Sequence, residues 1–329
     1  MGKQTPDRRR FQDRRDPQGR QGHQGSQGHQ GLRETDPTGL ATEAFLTHRN
    51  LLFTVAYEML GSAADAEDVL QETWLRWTGV DQDTVRDRRA YLVRITTRQA
   101  LSHLRTLGRR RESYVGPWLP EPLLTAPDVA EDVELADSVS TAMLLVLETL
   151  APTERAVFVL REVFRLEYGE IAVAVGKTLT AVRQIAHRAR GRVGERRPRG
   201  AVSAAENRRA IEAFRRAVET GELQGLLDLL APDVVLLGDG GGVRRAVPHP
   251  VVGAERVARL LTEGLPRLAG TAAVRPALVN GGPALLVGLP GETDSVVTLR
   301  LDDGLITALY VVRNPEKLSR LTRATPITR

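Results

Sequence analysis

The sequence predicts a multidomain chain in which two all-α segments are followed by an α+β domain. Apolar residues recur at helical spacing through residues 41–111 and again through residues 133–197. After Pro232 the pattern changes to short runs of β-branched residues separated by turn residues, and such runs predict strands. The 329 residues are sufficient for about two or three domains of roughly 100–200 residues each.

Composition excludes several classes of protein. The chain has no cysteine, which excludes disulfides, thiol catalysis and cysteine-ligated zinc. Its longest apolar run, Ala142–Leu147, has six residues, whereas a membrane-spanning helix needs about 18. No apolar stretch near the N-terminus resembles a signal peptide. We therefore expect a cytoplasmic protein without a membrane partner, and the sequence indicates no cofactor and no metal site.

The net charge of +5 hides an uneven distribution. Residues 84–111 carry nine arginines and one acidic residue, and residues 177–200 carry eight basic residues and one acidic residue. Two basic blocks, each on a helical pattern, indicate two contacts with a polyanion such as a nucleic acid. The alternative interpretation is two solvated helix faces.

The first forty residues are predicted to be a disordered tail. Residues 1–40 contain seven glycines, seven glutamines and seven arginines. Such a composition cannot bury a core.

Residues 41–113 are predicted to form a helical bundle. Gly61 ends its first helix, and Ser62 followed by Asp65 is a capping-box signature that begins the second. The inward face of the second helix carries Ala66, Val69, Leu70, Thr73 and Trp77. Its outward face carries Asp68, Gln71 and Glu72 around Leu75. An apolar residue in an acidic face is a candidate protein-docking site, and a single stray surface leucine is the alternative.

A third helix is predicted from about Thr84 to Arg110. Four of its arginines fall within an arc of about 60° at the helical period, namely Arg94, Arg98, Arg105 and Arg109. A one-sided row of guanidinium groups suits a phosphate backbone or bases exposed in single strands. Trp77 could stack on a base as well, although burial in the core is the other interpretation.

Residues 114–132 are predicted to be a linker, and residues 133–199 a helix-turn-helix domain. The first part of the linker, Tyr114–Leu123, contains three prolines with Trp118 and Leu119, so we expect the linker to be stiff and to dock on the rest of the molecule. In the second segment a short helix, a turn at Gly176 and a longer helix indicate the helix-turn-helix. The longer helix directs polar and cationic side chains outward, as reading of a major groove requires: Arg183, Gln184, His187, Arg188 and Arg190.

Residues 203–322 are predicted to form the α+β domain. Two helices, Ala205–Thr220 and Leu223–Leu230, precede the strands, and one helix, about Ala254–Leu268, interrupts them. We expect a curved antiparallel sheet of six strands: Val234–Leu237, Ala246–Val252, Val274–Val279, Ala284–Leu289, Val296–Leu301 and Leu305–Val312. Asp302-Asp-Gly304 is a hairpin turn signal between the last two.

Three features in this order resemble the extracytoplasmic-function (ECF) sigma factors, the sigma-70-family initiation subunits of bacterial RNA polymerase. They are Asp65-Ala-Glu-Asp-Val-Leu-Gln-Glu72, the arginine-rich helix, and the helix-turn-helix that ends in Ala181-Val-Arg-Gln-Ile-Ala-His-Arg-Ala-Arg190. The resemblance covers residues 41–195. The C-terminal domain resembles the SnoaL-like cone-shaped α+β barrel. Three motifs resemble signatures of the sigma subgroup with that fused domain: Trp118-Leu-Pro-Glu-Pro122, Asp239-Gly-Gly-Gly242 and Asn314-Pro-Glu-Lys-Leu318.

The resemblance implies a fold and a set of partners. The fold is two all-α sigma domains, a region 2 helical bundle and a region 4 helix-turn-helix, followed by the SnoaL-like barrel. The partners are core RNA polymerase, through its beta-prime clamp and beta flap, and promoter DNA. The C-terminal domain would serve as an intramolecular regulator in place of a separate anti-sigma factor.

The resemblance also implies roles for individual residues. Contact with core polymerase falls to Asp65, Asp68, Gln71, Glu72 and Leu75. Contact with the −10 promoter element falls to Trp77, Arg94, Arg98, Arg105 and Arg109. Contact with the −35 element falls to Thr178, Thr180, Arg183, Gln184, His187, Arg188 and Arg190. Regulatory contacts between domains fall to Trp118, Leu119, Pro120, Glu121, Pro122, Asp239, Gly240, Gly241, Gly242, Asn314, Pro315 and Lys317.

The chain departs from the subgroup at one position. The subgroup typically has a lysine after the three glycines, whereas this chain has Val243 followed by Arg244 and Arg245. The role of that cation is therefore lost or displaced by one position.

Alternatives stay open at this point. The C-terminal domain could sense a small molecule or act as an enzyme, with Asp239 and His249 as the acid–base pair. A loop role for both residues is the simpler alternative, since fold does not settle function. The whole chain could also be a DNA-binding regulator that acts without polymerase.

Overall fold

The structure is a computed structural model that describes residues 37–196, 202–264, 273–289, 292–321 and 324–329. The expected tail lies outside these ranges up to residue 36. Its last few residues, from Pro37 onward, instead begin the first helix. Within the described ranges no helix is both long and apolar enough to cross a membrane.

The first helical unit packs three helices around one core. They are α1 (Pro37–Leu60), α2 (Ala63–Thr78) and α3 (Arg88–Glu112), with a 3₁₀ turn at Gln82–Thr84. The third helix thus begins four residues later than the sequence predicts, because the 3₁₀ turn precedes it. Gly61 has a φ of +68°, and the Ser62 hydroxyl accepts a hydrogen bond from the Asp65 amide at 3.2 Å. The predicted capping signature therefore begins α2 as expected.

The second helical unit continues the same core. Its elements are α4 (Pro127–Glu131), α5 (Val133–Val139), α6 (Thr141–Glu148), α7 (Pro152–Phe158), a π-helical turn (Val159–Val163), α8 (Tyr168–Val175) and α9 (Leu179–Arg196). One hydrophobic cluster runs from Ala41 to Val193 and includes residues of both helical units. We call residues 37–196 the helical body.

The C-terminal domain is a six-stranded mixed sheet with helices. Its helices are α10 (Ala204–Thr220), α11 (Leu223–Leu227), α12 (Ala254–Gly264) and α13 (Pro315–Leu318). Its strands are β1 (Leu230–Asp239), β2 (Val251–Val252), β3 (Ala273–Val279), β4 (Gly282–Leu289), β5 (Glu292–Asp302) and β6 (Leu305–Val312). The sheet order is β2-β1-β6-β5-β4-β3.

Two expectations about this sheet are wrong. The first and last strands, β1 and β6, pair in parallel, so the sheet is mixed rather than antiparallel. The predicted strand Ala246–Val252 is reduced to two residues, because only Val251 and Val252 pair with β1. The other five strand predictions hold, and Asp303 and Gly304 have φ of 49° and 81° in the expected hairpin turn.

The two faces of the sheet have different partners. One face packs on α10, α11 and α12, with Phe214, Val257 and Leu309 among the buried residues. The other face packs on α13, on the linker through Leu119 and on α6 through Leu145. The C-terminal domain is therefore held against the helical body through one face of its sheet.

Candidate nucleic-acid interface

The helix-turn-helix is formed by α8 and α9. Gly176 ends α8 with a φ of +66°, and the Thr178 hydroxyl accepts a hydrogen bond from the Ala181 amide at 3.2 Å at the start of α9. The predicted inward residues are buried: Val182, Ile185, Ala189 and Val193. The residues expected to contact the −35 element are exposed: Thr178, Thr180, Arg183, Gln184, His187, Arg188 and Arg190.

All three outward arginines have contacts within the chain. Arg188 lies 3.9 Å from the Glu154 carboxylate, and the other two contact Tyr168. The Arg190 guanidinium donates to the Tyr168 hydroxyl at 2.8 Å and lies 3.2 Å from the Glu162 carboxylate. Arg183 lies over the Tyr168 ring at 5.9 Å. These contacts orient the two side chains along one edge of α9, while Gln184 and His187 project into solvent from the same face.

A second basic surface lies on α3. Arg94 stacks over the Tyr91 ring at 4.3 Å, and Arg105 is exposed. A cleft of about 220 Å³ opens between α2 and α3, lined by Arg76, Val80, Tyr91, Arg94, Ile95, Arg98 and Gln99. The side chain of Arg109 lies outside the described part of the chain. The cleft offers cations and an aromatic ring to an anionic ligand.

Trp77 does not belong to this surface. It is fully buried, and its indole nitrogen donates a hydrogen bond to the Ala41 carbonyl oxygen at 2.8 Å. A side chain in this position holds α1 against α2 and is unavailable for stacking on a base. The interpretation of Trp77 as a DNA contact is therefore wrong for this conformation.

The two basic surfaces are joined by Arg98. Its guanidinium donates to the carbonyl oxygens of Val173 at 2.8 Å and Ala174 at 3.3 Å, in the last turn of α8. A cation is favourable there, because the unpaired carbonyls at a helix C-terminus carry partial negative charge. One of the arginines predicted to contact DNA is therefore engaged within the chain.

Arg155 makes the reciprocal contact. It projects from α7 and donates to the Met59 and Leu147 carbonyl oxygens, each at 2.8 Å, in the last turns of α1 and α6. Arg155 is only 4% exposed. The two helical units are thus held together by an arginine from each side.

The predicted docking face of α2 is largely exposed. Leu75 is 70% exposed, and Asp68 and Gln71 are exposed around it. The Glu72 carboxylate accepts a hydrogen bond from the Gln99 amide group, and Asp65 is half-buried 3.1 Å from His103. The face therefore combines an accessible apolar side chain with a rim of carboxylates.

The linker and the C-terminal domain meet at Asp239. This fully buried carboxylate accepts hydrogen bonds from the Tyr114 hydroxyl at 2.6 Å and the Leu119 amide at 2.9 Å. It also accepts from the Gly241 amide at 3.0 Å and from the Lys317 ammonium at 2.7 Å. We call Tyr114, Leu119, Asp239 and Lys317 the latch.

Lys317 supplies the cation of the latch. Its ammonium group also donates to the Leu119 carbonyl oxygen and lies 4.1 Å from the Trp118 ring centroid. Val243, at the position of the expected lysine, is 69% exposed. Arg244 pairs with Glu292 at 2.7 Å on the surface. The positive charge in the latch therefore comes from the Asn314–Leu318 motif.

Glu121 fastens the linker to α2. Its carboxylate accepts hydrogen bonds from the amides of Ala63 at 2.8 Å and Ala64 at 3.1 Å, where unpaired amides favour an anion. Its own amide donates to the Gly61 carbonyl oxygen at 2.8 Å. Burial raises the pKa of the Glu121 carboxyl, and the amide hydrogen bonds oppose that shift. Leu119, Pro120 and Pro122 are buried, so the linker is docked as expected.

Asn280 was not identified from the sequence. It lies at the β3–β4 turn, and its side-chain amide donates to the Tyr57 hydroxyl of α1 and to the Val139 carbonyl oxygen of α5. Its side-chain oxygen accepts from the Leu123 amide at 3.0 Å. Asn-Gly between two strands is a hairpin signal, which predicts the turn but not these partners.

The suggested acid–base pair is not assembled. All hydrogen-bond partners of the Asp239 carboxylate belong to the latch or to its own turn, and His249 is an exposed loop residue. In the described part of the chain no polar contact joins the two. This arrangement does not place Asp239 and His249 on a common pocket.

These features define a chain with two basic DNA-binding units, one of them a helix-turn-helix, and a domain docked across both. Residues 44–110 match the Sigma-70 region 2 family, and residues 140–193 match the Sigma-70, region 4 family. The chain is 35% identical over 286 residues to the ECF RNA polymerase sigma factor SigJ of Mycobacterium tuberculosis (strain ATCC 25618 / H37Rv). The aligned region covers 82% of this chain and 91% of SigJ. It is 33% identical to the probable ECF RNA polymerase sigma factor SigI of M. tuberculosis (strain CDC 1551 / Oshkosh), over 88% of this chain and 98% of SigI.

The crystal structure of M. tuberculosis SigJ has the same fold. It matches with a TM-score of 0.70 at 32% identity and covers 85% of this chain and 99% of the SigJ chain. A match of that extent includes the C-terminal domain as well as the helical body. The chain therefore belongs to the ECF RNA polymerase sigma factors, which direct core RNA polymerase to promoters.

Proposed function

We propose that the C-terminal domain regulates this sigma factor in cis by holding the two promoter-binding units together. The observation that carries the proposal is the latch. A buried carboxylate of the C-terminal domain is bonded to the linker that joins the two units. The same linker caps α2 through Glu121. In this arrangement the domain takes the place of a separate anti-sigma factor.

The site residues divide among three surfaces in this proposal. The α2 face around Leu75 contacts the beta-prime clamp of the polymerase. The α3 face with Arg94, Arg98 and Arg105 holds the −10 element. The α9 face with Arg183, Gln184 and His187 reads the −35 element, and its unit contacts the beta flap. Because core polymerase is cytoplasmic, we place the protein in the cytoplasm.

We also propose that the C-terminal domain acts by binding and not by catalysis. The engagement of Asp239 in the latch supports this, since a general base needs a lone pair directed at substrate. The proposal would be contradicted if the protein turned over a small molecule, if Asp239→Asn abolished that turnover, and if the latch variant Lys317→Ala retained it.

Run-off transcription tests the regulatory role. Core polymerase and the upstream region of this gene would be combined with the 329-residue chain, with a chain ending at Gly200, and with Lys317→Ala. We expect more transcript from Lys317→Ala than from the parent chain, because the hydrogen bonds of Lys317 to Asp239 and to the Leu119 carbonyl oxygen are lost. The matched control is Arg216→Ala, an exposed residue of α10, which should behave as the parent does.

The outcomes separate the two parts of the proposal. Transcript from the parent, the shortened chain or Lys317→Ala supports the promoter-directing role assigned to α3 and α9. Equal transcript from the parent and Lys317→Ala would refute the role of the latch. Transcript from the parent but not from the chain ending at Gly200 would make the C-terminal domain a required part of initiation.

A further inference from the structure

Residues 324–329 lie as an extended segment against the helical body. The Thr325 amide donates a hydrogen bond to the Leu124 carbonyl oxygen of the linker at 2.7 Å. The Thr328 amide donates to the Thr54 hydroxyl of α1 at 3.1 Å. Hydrogen bonds from two backbone amides, one to the linker and one to α1, therefore fix the path of this segment.

Ile327 anchors the segment between those bonds. It is 4% exposed and belongs to the hydrophobic core of the helical body rather than to either cluster of the C-terminal domain. Its neighbours Pro326 and Thr328 are exposed. One buried side chain between two exposed ones is the pattern of an extended peptide seated in a groove.

The far end of the groove is acidic. The Arg329 guanidinium lies 3.0 Å from the Asp132 carboxylate and also contacts Glu134. Hydrogen bonds from Arg165 and Arg329 lower the pKa of the Glu134 carboxyl. Residues 112–150 contain eight acidic residues and no lysine or arginine, so this end favours a basic side chain.

We propose that the groove between Thr54, Leu124 and Asp132 is a peptide-binding site that residues 324–329 occupy in cis. It takes an extended peptide with a buried β-branched residue and, two positions later, a basic residue. Partner peptides of that chemistry compete with the segment for the groove. The site is independent of the promoter-directing activity, because binding of a peptide does not require polymerase or DNA.

Displacement of the segment in the full-length chain tests the site. The variant Ile327→Asp would be titrated against a fluorescent hexapeptide, Ala-Thr-Pro-Ile-Thr-Arg, with anisotropy as the readout. We expect this variant to bind the hexapeptide at least tenfold more tightly than the parent chain does, because a tethered segment fills the parent's groove at high effective concentration. The matched control Thr328→Asp adds the same charge at an exposed side chain and should bind as weakly as the parent.

A second variant keeps the test decisive if Ile327→Asp fails to fold, which far-UV circular dichroism would reveal. Arg329→Glu changes only an exposed contact and should also raise hexapeptide binding above that of the parent. A hexapeptide with glutamate in place of its arginine should bind this variant at least tenfold more weakly than the original peptide does. Hexapeptide binding that no folded variant raises, or equal binding of the two peptides, would overturn the proposal.

Discussion

At the scale of single residues, burial decides which charges matter to this molecule. The Lys317–Asp239 pair and the Arg244–Glu292 pair each have a nitrogen–oxygen distance of 2.7 Å. Asp239 is fully buried, whereas the side chains of Arg244 and Glu292 are 39% and 56% exposed. Water screens the charges of the exposed Arg244–Glu292 pair. In the buried Lys317–Asp239 pair, each charge is compensated by its protein partner instead of by water.

Lys317→Ala should therefore be far more damaging than Arg244→Ala. Removing one partner of a buried pair leaves an uncompensated charge, and we expect a loss of about 3–5 kcal/mol in the free energy of unfolding. Loss of the exposed pair should cost about 0–1 kcal/mol. Urea unfolding of both variants beside the parent measures the difference, and similar losses would contradict the structural role of the latch.

Glu58 is a second buried carboxyl, in α1 at the contact with α5. Its carboxyl accepts a hydrogen bond from the Ser138 hydroxyl at 2.8 Å. Burial raises its pKa from 4.5 to about 8, while the hydrogen bond from Ser138 opposes the shift. A raised pKa means that folding favours the protonated form. The stabilisation is therefore complete below about pH 4.5 and is lost as the pH rises to about 8.

Glu58→Gln should remove this pH dependence. Between pH 5 and 8 the parent should lose up to about 1.4 kcal/mol of unfolding free energy per pH unit through Glu58, and the variant should not. Glu43→Gln, an exposed carboxyl of the same helix, is the control and should follow the parent. Urea unfolding at pH 5, 6.5 and 8 checks the slope, and parallel curves for parent and Glu58→Gln would contradict it.

At the scale of elements, α9 shows how a helix divides its two faces. Val182, Ile185 and Ala189 are buried against the rest of the helix-turn-helix unit, which leaves the polar residues between them exposed. The exposed face is therefore a consequence of the helical period and does not depend on contacts with the C-terminal domain.

The double variant Arg183→Ala and Arg188→Ala should weaken use of the −35 element. Each lost base contact should cost about 1–3 kcal/mol of binding free energy, so discrimination between promoter sequences should fall. Both side chains are exposed, and the thermal stability of the variant should stay close to that of the parent. Transcription from promoters with altered −35 elements measures the effect, and unchanged promoter preference would refute the assignment of α9.

At the scale of the whole molecule, the two units that we propose to bind the promoter elements are too close together to engage both elements. The names of the −10 and −35 elements place them about 25 base pairs apart, which is about 85 Å at 3.4 Å per pair. Arg98 of α3 hydrogen-bonds directly to the end of α8, and the 18 residues of α9 span about 27 Å. The units must therefore separate before both elements are bound.

Energy transfer between two dyes should detect that opening. The chain has no cysteine, so Ser102→Cys and Glu195→Cys, both at exposed positions, give two unique labelling sites on α3 and α9. Transfer should be efficient in the free protein and should fall when core polymerase and promoter DNA are added. Equal efficiency in the free and assembled states would contradict a closed resting form.

Several features could be predicted from local sequence because their causes are local. The cap at Ser62, the turn at Gly176 and the buried face of α9 follow from side-chain chemistry and the helical period. The hydrogen bond of Trp77 to the Ala41 carbonyl oxygen and the pairing of β1 with β6 could not be predicted in this way. Each depends on which distant element packs beside it, and one sequence carries no direct record of that.

The sequence by itself determined the order of the domains, the two basic faces and the linker motif that docks, because residue types and their spacing specify these features. Only the tertiary structure decided that Lys317 is the cation of the latch. It alone placed Asn280 at the contact of α1 with α5, and Ile327 in the core of the helical body. These contacts join residues more than seventy positions apart in the sequence. They form only when the whole chain folds, because folding buries the apolar surfaces and the paired polar groups that stabilise them.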